Sequence, residues 1–150
     1  MKKTLTSLFL LTLLFTSTNS FAKAYSKAFL SDYDSVWKGV LISLSKYPLD
    51  KNDQEAGEIT TSLIKPGEAY TPLNRTPSSK EVYQLFIQIQ KRKYKGKNII
   101  QVKIEKDSFL KGDFINREIK LVSDGIEENI ILYRTAREVK IDKAVAKIFK

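Results

Sequence analysis

The strongest constraint on this chain is an alternation. Tyr83, Leu85, Ile87 and Ile89 occupy every second position, and after a polar stretch Ile100, Val102 and Ile104 do the same. A period of two places each set on one face of a strand. Between them, Tyr94-Lys95-Gly96-Lys97-Asn98 supplies the glycine that a tight turn needs. An antiparallel hairpin with one apolar face is therefore expected, and that face obliges another element to cover it.

Two segments have the pattern to do so. Across residues 31–47, Tyr33, Val36, Trp37, Val40, Leu41 and Leu44 recur at steps of three and four, the signature of an amphipathic helix. Ser31 and Asp34 resemble a capping box at its start and Pro48 marks its end. Trp37 lies on the apolar stripe, where burial is the expected role. A second helix is predicted from Asp124, three residues before Glu127, to Lys150, with Ile126, Ile130, Leu132, Tyr133, Ala136 and Val139 facing inward and a kink near Ile141, where Asp142 could cap a short second segment. Glu127, Glu128 and Glu138 are spaced to pair with Arg134 and Arg137 on its surface.

The remaining elements are weaker. Residues 50–57 read as a polar turn, and Ile59, Thr61 and Leu63 alternate through 58–64 as a half-buried strand. Pro66, Pro72 and Pro77 make 65–79 a surface loop, and 116–122 is a further strand. The expected fold class is α+β: an antiparallel sheet of three to four strands with an N-terminal and a long C-terminal helix on one face.

The first segment is expected to be removed. Lys2 and Lys3 precede an apolar run from Leu5 to Phe15, and Ser20-Phe21-Ala22 offers small residues where a signal peptidase cuts. This gives a signal peptide at 1–22 cleaved after Ala22, a single domain at 23–150, and a periplasmic location with no transmembrane segment after cleavage. The polar 16–20 stretch arrives too early for a spanning helix, which needs about 20 apolar residues. No cysteine is present to accept a lipid.

The chain has 150 residues and neither histidine nor cysteine, so Cys-His and Ser-His-Asp catalysis and imidazole or thiolate metal sites are excluded. No enzyme activity and no cofactor are expected. Ser43-Leu44-Ser45-Lys46 has the S-x-x-K spacing of serine β-lactamases, but Lys65-Pro66-Gly67 stands where a K-T-G strand would be required, so Ser43 and Lys46 are assigned to a solvated helix face. Asp50, Asn52, Asp53 and Glu55 lack the spacing of a calcium loop.

Two surface features could recognise a partner. Lys91, Arg92, Lys93, Lys95 and Lys97 surround Tyr94 at the hairpin tip, suiting an anionic lipid, lipopolysaccharide or acidic protein surface, or else protecting the sheet end from edge pairing. No nucleic-acid module is recognisable. Phe109, Leu110, Phe114 and Ile115 form an apolar group of poor periodicity that either plugs the sheet end or marks an interface.

Tyr33-Asp34-Ser35-Val36-Trp37, Tyr47-Pro48-Leu49-Asp50, Asp53 and Gly57-Glu58-Ile59-Thr60-Thr61 resemble the opening of the helix-grip domains of NlpB/BamC-like outer-membrane assembly lipoproteins. With Ser123-Asp124-Gly125, Glu127-Glu128, Leu132-Tyr133-Arg134 and Arg137-Glu138, they resemble more closely an uncharacterised proteobacterial family of small exported proteins. The resemblance implies a helix-grip-like fold and a non-enzymatic accessory role in the cell envelope, with a cell-envelope protein or anionic lipid as partner and peripheral membrane contact. The alternative is a small-ligand or lipid carrier using the space between sheet and last helix.

Overall fold

The computed structural model describes residues 23–65, 68–69, 81–111 and 118–148. The expected leader, most of the proline loop, and Phe114 and Ile115 lie outside these residues.

The hairpin dominates. Strands β4 (Glu81–Tyr94) and β5 (Lys97–Lys111) pair without interruption, with Ile87 opposite Ile104 and Ile89 opposite Val102. The turn is tighter than the five-residue segment expected: Lys95 and Gly96 alone connect the strands, with φ of 48° and 76°. Positive φ at both central residues is the type I′ geometry whose twist matches the strands it joins. The alternating residues are buried on one face, and Gln88, Gln90 and Phe86 are exposed on the other.

Among the described residues the sheet has six strands rather than three to four. The described strands run β1-β5-β4-β3-β2, all antiparallel, and β6 also pairs with β5. Strand β1 (Tyr25–Phe29) lies along residues 100–104 of β5, and β6 (Glu118–Leu121), within the expected 116–122 segment, lies along residues 108–111 of the same edge. β3 (Glu58–Thr61) pairs with β4, and an isolated bridge from Ile64 to Tyr83 continues its path. β2 (Leu49–Asp53) replaces the expected polar turn. It is an edge strand, largely exposed and rich in charge, which discourages pairing with other chains. The turn proper is 54–57, closed by the Ala56 N–H donating to Asp53 Oδ1 at 2.9 Å.

Helix α1 (Tyr33–Ser43) is capped by Asp32, whose carboxylate accepts the Ser35 N–H at 2.7 Å, so the cap sits one residue beyond Ser31. Val36, Trp37, Val40 and Leu44 enter one apolar cluster with Ile59, Leu85, Ile87, Ile89, Ile100, Val102 and Ile104. Helix α2 (Ile126–Ile148) adds Ile131, Leu132 and Val139 to the same cluster. It runs unbroken past Ile141. Asp142 does not cap a second segment; its carboxylate accepts the Ser35 hydroxyl at 2.6 Å and pairs with Lys38 at 3.6 Å.

The two helices approach closely at Gly39, where an added Cβ would lie 3.2 Å from Val139 Cγ2. Ser43 is buried in the same contact, donating to the Gly39 carbonyl at 2.7 Å and accepting from Thr135 at 3.2 Å, so its assignment to a solvated face is corrected. The buried face of α2 also differs from expectation. Glu127, Glu128, Ile131, Leu132, Thr135 and Val139 are buried, Ile126, Ile130 and Ala136 are half-buried, and Tyr133 is exposed.

Candidate functional site

The most unusual chemistry lies inside the molecule. The inward alternation of β5 continues past Ile104 to Lys106 and Ser108, so a lysine occupies a core-facing position opposite Leu85. Lys106 is only 2% exposed. An ammonium there needs anionic partners, because an unpaired charge in low dielectric is strongly disfavoured.

The start of α2 provides them. Lys106 Nζ donates to Glu127 Oε2 at 2.6 Å and to Asp124 Oδ1 at 3.0 Å, stands 4.0 Å from Glu128 Oε2, and lies 5.7 Å from the centroid of the Tyr83 ring. Asp124 also receives the Ile126 N–H at 3.2 Å, so one carboxylate both caps the helix and binds the lysine. Glu128 accepts the Ser123 hydroxyl, which in turn accepts the Gly125 N–H at 3.0 Å. Among the described residues, Glu128 Oε2 and the buried Ser108 hydroxyl have no hydrogen-bond partner.

The electrostatics set what this cluster can do. Burial pulls the Lys106 ammonium toward neutrality, but hydrogen bonds from Glu127 and Asp124 and the charges of Glu127 and Glu128 outweigh it, and the pKa ends above its ordinary value. Lys106 is thus held protonated and is not a nucleophile at neutral pH. Burial pushes the Glu128 carboxyl upward; the Ser123 hydroxyl, a backbone N–H and Lys106 oppose that rise without cancelling it. Asp124, Glu127 and Glu128 offer carboxylate oxygens close enough to share a hard cation. The lysine ammonium already fills that place. The cluster fastens the first turn of α2 to β5, and Glu127 and Glu128 are buried rather than on the helix surface where they were expected.

The surface candidates separate. Lys91, Arg92, Lys93, Tyr94, Lys95 and Lys97 are brought together and are all exposed. Their local contacts are light: Lys91 lies 5.2 Å from the Tyr33 ring centroid, Lys95 lies 5.5 Å from that of Tyr94, and Arg92 donates to Gln90 at 2.7 Å. Phe109 and Leu110 are half-buried within β5, opposite Val82 and Glu81 on one side and Lys120 and Ile119 on the other.

Sequence reasoning missed Lys106 and the inward role of Glu127 and Glu128. The signal was present: a lysine in phase with Ile100, Val102 and Ile104, and an acidic pair at the head of the helix that must cover them. Among the described residues, no helix is long and apolar enough to cross a membrane. Neither a protein-family model nor a curated protein matches this chain.

Proposed function

We propose that this chain is an exported, non-enzymatic accessory protein of the cell envelope, located in the periplasm after cleavage following Ala22, that meets an envelope partner through its surface. The observation that carries this reading is the hairpin tip, where a two-residue turn projects Lys91, Arg92, Lys93, Lys95 and Lys97 into solvent. Clustered exposed cations raise the local potential and draw anionic partners.

The interior supports the same reading over a carrier. Val102, Ile104 and Ile131 have no exposed surface and pack in one cluster where a bound ligand would lie. An enzyme reading would draw on Asp124, Glu127 and Glu128, but these converge on a protonated lysine rather than on an open pocket. An antiparallel sheet with a long last helix on its apolar face supports a helix-grip-like architecture.

Sedimentation with isolated cell envelopes tests the proposal. The unmodified protein should pellet with them and be released by salt, since the Debye length shortens from about 10 Å at 0.1 M to about 3 Å at 1 M. Replacing the five basic tip residues by Gln should leave the protein folded and in the supernatant. Equal sedimentation of both forms, or of neither, refutes it.

A further inference from the structure

The cations of the hairpin tip are not the only ones at that end of the molecule. The residue contacts fix which end each element reaches. Phe29, the last residue of β1, pairs with Ile100, close to the turn. Leu30 follows, and its carbonyl accepts from Lys143 Nζ. Ser35, in the first turn of α1, holds Asp142, while Tyr33 lies beneath Lys91. The C-terminal turns of α2 therefore arrive at the same end as the hairpin tip. The head of α2, with Lys106, Gly125 and Tyr25, is at the other.

Those last turns are amphipathic and only partly covered: Ile141 and Val145 line an open groove with Gly39 and Ile42 of α1. Ile141, Val145 and Ile148 recur at steps of four and three and form one stripe, and all three are exposed, Ile148 by 75%. Lys140 and Lys147 flank it on one side, whereas Lys143, two residues from both Ile141 and Val145, lies on the opposite face; all three are exposed. An apolar stripe bordered by lysines is the pattern of a helix that lies in a membrane interface, with its apolar side chains among the acyl chains and its cations at the headgroups.

Charge also sets an orientation. The turn at 54–57 reaches the same end on the β2 side, where the Tyr33 hydroxyl donates to the Gln54 carbonyl at 2.8 Å, and that side carries Asp34, Asp53 and Glu55. On the β1 side, Asp142 is engaged by Ser35 and Lys38, and Asp32 caps α1. The cationic surface thus runs from the hairpin tip toward α2 and stops at an acidic border.

We propose that this end of the molecule docks on an anionic lipid bilayer, with Ile141, Val145 and Ile148 entering the interface and Lys140, Lys147 and the hairpin-tip cations holding the headgroups. This deepens the envelope reading above by naming the partner surface, and it rests on that reading.

Flotation with phosphatidylcholine vesicles, with and without phosphatidylglycerol, tests it. The protein should bind only the phosphatidylglycerol-containing vesicles. Lys140→Gln/Lys147→Gln should weaken binding by about twentyfold, at the few-fold per surface cation that anionic membranes confer. Ile141→Ser/Val145→Ser/Ile148→Ser should weaken it by about tenfold or more.

Because the chain has no cysteine, a single introduced one can carry an environment-sensitive dye without relying on those multiple variants to fold. A dye at Ile148→Cys should shift to the blue on vesicle addition. One at Val122→Cys, at the opposite end and 87% exposed in the parent chain, should not. A shift at 122 and none at 148, full binding by folded helix variants, or binding indifferent to phosphatidylglycerol would each overturn the proposal. Salt-sensitive sedimentation with envelopes but no flotation would refute the bilayer alone and leave the envelope reading standing.

Discussion

Replacing Lys106 by Met keeps the length and bulk of the side chain and removes its charge. The cost follows from what remains. Glu127, buried, loses a partner at 2.6 Å, and Asp124, partly exposed, loses one at 3.0 Å. Charge-assisted hydrogen bonds contribute about 1.5–3 kcal/mol each, and water can replace the one to Asp124. The loss is therefore set mainly by Glu127, a buried carboxylate deprived of its ammonium contact, with Glu128 left in a more negative surrounding. Removing one partner of a buried ion pair costs about 3–5 kcal/mol, and the replaceable Asp124 bond places this variant toward the lower end. With a urea dependence of about 1–3 kcal/mol per molar, the unfolding midpoint should fall by roughly 1–3 M. Adding Glu127→Gln to Lys106→Met should restore at least half of the loss, because the buried charge facing the removed ammonium is gone. A single variant within about 1 kcal/mol of the parent would place these carboxylates in contact with water, and a double variant no better than the single would show that lost packing, not charge, was responsible.

Three further outcomes are expected. Trp37→Ala, at a side chain 5% exposed and stacked on Tyr33 with ring centroids 6.1 Å apart, should destabilise the fold by about 3–5 kcal/mol in denaturant titration. Gly125→Ala, at φ +77° and with an added Cβ 2.1 Å from the Tyr25 ring, should cost about 1–3 kcal/mol in backbone strain before any clash is counted, read as a lowered melting temperature. Glu128 has a folded pKa above its ordinary 4.5, so its contribution to stability is fully present below that value and is lost as pH rises through the folded pKa; Glu128→Gln, measured against the parent across that range by chemical denaturation, should lack this decline.

How much of this was legible in the sequence depended on whether burial leaves a pattern. The hairpin was, because Tyr83 to Ile89 and Ile100 to Ile104 alternate with no charge on the inner face. Strands β1 and β2 were not. Both are edges, Tyr25–Phe29 and Leu49–Asp53, whose hydrogen bonds are made on one side only and whose side chains mostly face solvent, so neither alternates. The buried face of α2 was misread for the opposite reason. An apolar search rewards Tyr133 and passes over Glu127, Glu128 and Thr135, which are buried because each finds a polar partner inside: Lys106, Ser123 and the Ser43 hydroxyl. The tip cluster was recognisable by composition alone, whereas its union with Lys140 and Lys147 required the topology that brings Leu30 and Ser35 to the end of α2.

That union ties the interior cluster to the surface it lies farthest from. The last turns of α2 contribute no residue to the core after Val139, and a helix of so few turns is marginal in water unless it propagates from a segment already held. Here most of the holding is done upstream, by Ile131, Leu132 and Val139 in the core and by Lys106 drawing Glu127 and Asp124 onto β5, with Asp142 on Ser35 and Lys143 on the Leu30 carbonyl as lighter ties further along. The helix is a stiff rod between those points and the exposed stripe at Ile141, Val145 and Ile148. A polar cluster in the core suits this task better than more apolar surface would, because apolar packing tolerates sliding whereas an ammonium held at 2.6 Å and 3.0 Å fixes the register of α2 against the strand. The direction in which the basic, apolar-bordered end of α2 leaves the molecule is thereby set by a lysine at the other end.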